Sequence, residues 1–129
     1  MSEQERKGKI LIMDDEDMIG EIACQMLIHL GYDGHHVKDG EAAIEEYSRS
    51  LEDGVPYDII VMDLSIPGGM GGKEAIGRVL EINPDVKVLV SSGNPADPIM
   101  MQYGDHGFKG AINKPFDLAS LQSTLDSLI

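Results

Sequence analysis

The chain has 129 residues, enough for one domain with a buried core and too few for several. Its 23 acidic against 10 basic residues give a formal charge of −13, which repels nucleic-acid phosphates and suits divalent cations or basic protein patches instead. No apolar run approaches the roughly 20 residues of a membrane span.

The opening MSEQERKGK lacks the apolar core of an export signal, and residues 1–8 read as a flexible lead. The single cysteine, Cys24, allows no internal disulfide and fits a reducing cytoplasm, where it reads as an inert helical thiol.

In chain order, KILIM (9–13) reads as a strand buried on both faces, the pattern of a parallel sheet. From Asp17 to Leu30, the apolar residues Ile19, Ile22, Ala23, Met26, Leu27 and Leu30 fall on one helical face, and Gly31 ends the helix. YDGHHV (32–37) is a weaker strand. Asp39 caps a helix over 40–51 that stops before EDGVP. YDIIVMD (57–63) is a second buried strand, followed by the glycine-rich IPGGMGG and a helix over 73–82 closed by Asn-Pro. VKVLV (86–90) is the fourth strand, and a helix covers about 99–105. FKGAIN (108–113) is a weak fifth strand, and the last helix buries Leu118, Leu121, Leu125 and Leu128. Strands alternating with helices imply one α/β domain, a doubly wound parallel sheet of five strands with five helices.

The first strand runs into Asp14, Asp15, Glu16 and Asp17. Two carboxylates about 4 Å apart repel by roughly 4 kcal/mol at an effective dielectric near 20, so placing them at the end of a buried strand needs a compensating charge. Glu16 and Asp17 read as a solvated surface run; Asp14 and Asp15 do not. Open parallel sheets bind ligands outside the carboxyl ends of their strands. The polar residues at those ends are Asp14 and Asp15, then Asp63, then Ser91 and Ser92, then Lys114. Three carboxylates converging on one pocket call for a hard cation with oxygen ligands and spare water positions, which describes Mg²⁺. Lys114 can pair with a carboxylate or a phosphoryl oxygen there, and Ser91 can donate a hydrogen bond to the same group.

The order Asp14-Asp15, Asp63, Ser91, Lys114-Pro115 resembles the receiver domain of two-component response regulators, over nearly the whole chain from about Gly8 to Ile129. SSGNPADP and GFKGAINKPFDLASL are particularly similar to receivers that belong to hybrid sensor kinases. The resemblance implies a flavodoxin-like or CheY-like sheet with strand order 2-1-3-4-5. It makes Asp63 the acceptor of a phosphoryl group from the phosphohistidine of a histidine kinase or a histidine phosphotransfer protein. It assigns Mg²⁺, with Mn²⁺ as a substitute, to Asp15, Asp63 and the main-chain carbonyl of Ser65, with Asp14 acting through a water. Ser91 would turn toward the phosphoryl group, Lys114 would contact it, and small Ser92 would leave access to it. The Lys114–Pro115 peptide would be cis. Output would pass to a separate effector protein, and such a module is not a turnover enzyme.

Two positions depart from the family pattern. Where the family carries an aromatic ring that swings inward on activation, this chain has Ala111, so the ring half of that switch cannot operate there. The loop GGMGG is one residue longer than usual, and its glycines suit either a plain flexible turn or a hinge.

The competing readings are weaker. An aspartyl phosphatase on a related sheet would carry a second Asp two residues after the nucleophile, where this chain has Ser65. A pseudo-receiver that binds partners without phosphorylation would have no need of the acidic pair, Asp63 and Lys114 together. No glycine-rich phosphate loop follows the first strand, which disfavours a nucleotide or flavin site. His35 and His36 are adjacent in a strand and point to opposite faces, and with His29 and His106 they read as surface or structural residues. Met100, Met101 and Tyr103, and separately Cys24 and Ile28 on the first helix, are candidate docking positions; in the family, the latter region meets phosphotransfer partners.

Overall fold

A computed structural model describes residues 7–129. Residues 1–6, most of the stretch expected to be flexible, lie outside the described residues. Lys7 and Gly8 do not share that expectation. The Lys7 N–H donates to the Gly31 carbonyl at 2.8 Å and the Gly8 carbonyl accepts from the Asp33 N–H at 2.9 Å.

Five parallel strands, β1 (Lys9–Met13), β2 (Asp33–Val37), β3 (Ile59–Asp63), β4 (Lys87–Ser92) and β5 (Gly110–Asn113), form one sheet in the order β2-β1-β3-β4-β5. Helices α1 (Asp17–His29), α2 (Gly40–Glu52), α3 (Gly72–Ile82), α4 (Pro98–Met101) and α5 (Leu118–Leu128) connect and flank them. The period of two along a strand sends alternate residues to opposite sides of the sheet. Leu11, Met13, Ile60, Met62, Val88 and Val90 join Tyr47, Val79 and Phe108 in one core, while Ile10, Ile12, Ile59, Val61 and Leu89 join Ala23, Leu27, Leu121 and Leu125 in the other. Both faces of the sheet carry an apolar core because β1 and β3, in the middle of the sheet, have buried apolar side chains on both sides.

Side-chain caps start three of the helices: Asp39 accepts from the Ala42 N–H, Asp97 from Ile99 and Asp117 from Ser120, each within 2.9 Å. Gly31, at φ 94°, ends α1 in the left-handed conformation that glycine adopts without strain. Among the described residues, no helix is long and apolar enough to cross a membrane.

The structure differs from the sequence reading in several places beyond small shifts of strand ends. The helix expected over 99–105 is one α-turn, broken at Gln102 (φ −123°, ψ 43°), followed by a 3-10 turn over Tyr103–His106. Gly104 and Gly107 in this stretch disfavour a longer helix. The fifth strand begins only at Gly110, because Phe108 turns into the core right after Gly107. Ile22 and Leu118, assigned to buried faces, remain 44% and 41% exposed. Periodicity fixes which face of a helix is apolar, but neither how wide a stripe the sheet covers nor how far along the helix the core reaches.

Truncating the fully buried Ile60 removes contacts at the centre of one core. Ile60→Ala is expected to lower the urea-unfolding free energy by about 2–5 kcal/mol.

Candidate functional site

The carboxyl ends of β1, β3 and β4 meet at one edge of the sheet. The chain leaves β1 toward β2 on one side and returns to β3 on the other, which opens a crevice there. Register places Asp63 beside Ser91, and Asp14 follows directly on Met13. Asp14 and Asp63 are buried and Asp15 is exposed. One oxygen from each of the three carboxylates lies within 4.8 Å of the others.

The compensating charge is Lys114. Its Nζ lies 2.7 Å from Asp14 Oδ2 and donates to Asp63 Oδ2 at 2.9 Å. The lysine reaches this point because its own N–H is anchored to the Ser92 carbonyl at 2.9 Å, just past the end of β5. The following Lys114–Pro115 peptide is cis. Burial pulls the Lys114 ammonium down, but hydrogen bonds and charge from Asp14 and Asp63 outweigh it and hold its pKa above the usual lysine range. For Asp63 burial wins: its carboxyl is raised above the ordinary value although Lys114 opposes the shift. The Ser65 main chain acts in the same direction as Lys114, as the weakest of these influences.

The other expected site residues occupy definite places. Ser91 is buried with its hydroxyl 3.5 Å from the Met62 carbonyl, at the long limit of a hydrogen bond. Ser92 is half-buried, and its hydroxyl accepts from the Asn94 N–H at 3.1 Å in the loop after β4. Ser65 is exposed, in the loop after β3. That loop is held tightly, since a Cβ on Gly71 would lie 2.6 Å from the Leu64 carbonyl oxygen. Ala111 is half-buried beside Val90 and borders an open groove along Ala119, Ser120, Ser123 and Thr124 of α5. Of the acidic residues read as solvated, Asp17 pairs with Lys38 at 3.1 Å on the surface, a contact worth little. Burial pushes the Cys24 thiol up, away from reactivity.

The donor set fits a hard divalent cation. Asp14 Oδ2 is sealed from solvent with the Lys114 ammonium 2.7 Å away, and the three groups that can hold an ion together are all carboxylates. Asp15 adds an exposed carboxylate through which a hydrated ion can enter. One contact at this edge was not anticipated by the sequence, which has His36 as a surface or structural residue: His36 Nε2 lies 2.7 Å from the Asp14 main-chain oxygen. The signal was its place at the end of β2, level with the end of β1 in a parallel pair, where its neighbour His35 faces the opposite side.

The family model described as "Response regulator receiver domain" matches residues 10–126. The response regulator GacA of Pseudomonas aeruginosa is 34% identical over 108 residues, covering 80% of this chain and 49% of that protein. The chain thus spans about half the length of this relative. Chemotaxis protein CheY of Thermotoga maritima is 26% identical, with 93% of this chain and 96% of that protein covered. Among solved structures, the receiver domain of a sensor histidine kinase from Pseudomonas aeruginosa PAO1, which has magnesium coordinated in its active-site cleft, superposes with a TM-score of 0.80 at 25% identity, covering 94% of this chain and 96% of that one.

Because the raised pKa of Asp63 means that the fold favours its protonated form, the stability this contributes is present at acid pH and lost as pH rises through that pKa. At neutral pH without divalent cations, the charged Asp63 is therefore a net cost. Asp63→Asn is expected to raise the melting temperature by a few degrees in chelator at pH 7. Thermal scans should show this advantage closing as pH falls and the wild-type carboxyl takes up its proton.

Proposed function

The chain belongs to the response regulator receiver domain family, and from that membership we propose that it takes a phosphoryl group onto Asp63 in a Mg²⁺-dependent reaction and passes the signal to a separate protein. Receiver domains are signalling modules of two-component systems and not turnover enzymes. The observation that carries the reading is the Lys114 ammonium, 2.7 and 2.9 Å from two carboxylates that a third approaches within 4.8 Å, at the carboxyl edge of the sheet.

In this reading Asp15, Asp63 and the Ser65 carbonyl hold the cation, and Asp14 acts through a bound water. Mg²⁺, or Mn²⁺ in its place, supplies charge neutralisation at the transferring phosphoryl oxygens. A carboxylate oxygen of Asp63 attacks the phosphorus of a phosphohistidine, the N–P bond breaks in line, and the imidazole leaves with its electron pair. Lys114 meets the charge that develops on the phosphoryl oxygens. Ser91 gives up little when it turns toward them, because its present contact with Met62 is at the limit of hydrogen bonding.

The phosphodonor is a histidine kinase or a histidine phosphotransfer protein, and α1 supports docking of such a partner through Met18, Ile22 and Ile28, which are 71%, 44% and 55% exposed. Met101 and Tyr103, past the end of β4, are a second exposed pair open to an effector, whereas Met100 belongs to the core. With Ala111 in the aromatic position, the conformational change runs through Ser91 and the adjoining loops.

Incubation with Mg²⁺ and a small acyl phosphate should add one phosphoryl group by mass spectrometry. The adduct should be absent in Asp63→Asn and in the presence of EDTA. Failure of the wild type to gain mass with any phosphodonor, combined with partner binding that ignores phosphate, would favour a pseudo-receiver.

A further inference from the structure

Asp14 is held by four contacts. Its N–H donates to the Val37 carbonyl at 3.0 Å, its Oδ1 accepts from the Glu16 N–H at 2.9 Å, and its Oδ2 faces Lys114 at 2.7 Å. The fourth comes from a side chain, since His36 Nε2 meets the Asp14 main-chain oxygen at 2.7 Å. A carbonyl oxygen only accepts, so the hydrogen of this bond sits on Nε2.

The ring has no freedom to be elsewhere. It lies flat against α1 where that helix carries Gly20: a Cβ there would fall 2.4 Å from Cγ, Cδ2 and Cε1 of the imidazole. Real Cβ contacts do not come so close, so Gly20 is what lets the ring slide between α1 and β2 and reach the end of β1. Gly20 and His36 are thus a matched pair, a missing side chain on one element and a hydrogen-bond donor on the other.

The bonded oxygen belongs to the peptide that joins Asp14 to Asp15. A peptide group is planar, so an oxygen fixed relative to the Asp14 Cα sets the plane, and with it the point from which the Asp15 side chain leaves β1. Asp15 is exposed, and its carboxylate approaches those of Asp14 and Asp63 from outside the core, where packing does little to orient it.

We propose that His36 is a positioning residue for the cation cradle: by donating to the Asp14 carbonyl it sets the Asp14–Asp15 peptide plane and aims the Asp15 carboxylate at the divalent ion. This rests on the reading of the acidic cluster as a Mg²⁺ centre. Outer partners that orient metal ligands typically change metal affinity by 10–100-fold when removed.

The test is a Mg²⁺ titration of the whole chain by calorimetry, with urea unfolding of each variant in parallel. His36→Leu, which keeps bulk but has no donor, should weaken Mg²⁺ binding by roughly tenfold. His36→Gln, whose amide can still donate to a carbonyl, should keep most of the affinity. Gly20→Ala leaves His36 in the sequence but displaces its ring, and should weaken binding as His36→Leu does. Phosphoryl uptake by His36→Leu should be slow at low Mg²⁺ and recover at saturating Mg²⁺.

Variants that lose stability while all bind Mg²⁺ like the wild type would overturn the proposal, as would equal losses in His36→Leu and His36→Gln. If His36→Leu does not fold, the comparison of Gly20→Ala with His36→Gln decides by the same criterion. A wild type that binds no Mg²⁺ would instead overturn the functional reading itself, and this proposal with it.

Discussion

The structure turns on one ammonium held between two buried carboxylates, with a third carboxylate close by. Asp14 and Asp63 sit at the ends of adjacent buried strands, where their mutual repulsion is poorly screened, and Lys114 is the counter-charge within 3 Å of both. The surrounding parts serve this contact. Two apolar cores fix β1 and β3 side by side, the backbone bond from Lys114 to Ser92 delivers the lysine, and the Asp117 cap of α5 lies three residues further on. The charge is confined to this edge, since on both faces of the sheet the strands pack as ordinary apolar β-structure. A site of this kind is poised: its carboxylate pair is balanced well enough to persist and poorly enough that an additional cation is welcome.

The same edge holds the elements that would respond to a new charge on Asp63. The Leu64 N–H donates to the Ser91 carbonyl at 2.9 Å, so the end of β4 and the loop after β3 are tied to each other. That loop is tied in turn to the start of α2, where the Gly40 N–H donates to the Met70 carbonyl at 2.7 Å and the Met70 side chain covers the glycine. Beyond β4, the single α-turn of α4 and the 3-10 turn after it form a short, irregular segment. The loops after β3 and β4 are the segments that adjoin Asp63 at this edge. Gly71 and Met70 of the loop after β3 thus lie in a fastened segment.

Much of this was legible in the residues because the information was local. KILIM, the run ending at Asp63 and VKVLV are apolar on both faces, a pattern only a covered parallel strand satisfies, and each ends in a polar residue at the same edge. Asp39 announces a helix start and Gly31 a helix end through the chemistry of single side chains. The misread parts depend on neighbours: Ile22 and Leu118 lie on plausible faces that the sheet does not reach, and the α4 region is set by how Phe108 enters the core behind Gly107. The contact of His36 was not legible because its partner is an oxygen 22 positions away on another strand.

By itself, the sequence determined the class of the fold, the convergence of Asp14, Asp15, Asp63, Ser91 and Lys114 on one edge, and the family, because strand period, helix caps and the order of polar residues are properties of short segments. Only the tertiary structure decided that Lys114 bridges Asp14 and Asp63, that the hydroxyl of Ser91 rests on Met62, and that the ring of His36 passes over Gly20 to hold the end of β1. Distances of 2.7–3.5 Å between residues far apart in the chain are set by how closely helices settle on a sheet, and that depends on every side chain between them at once.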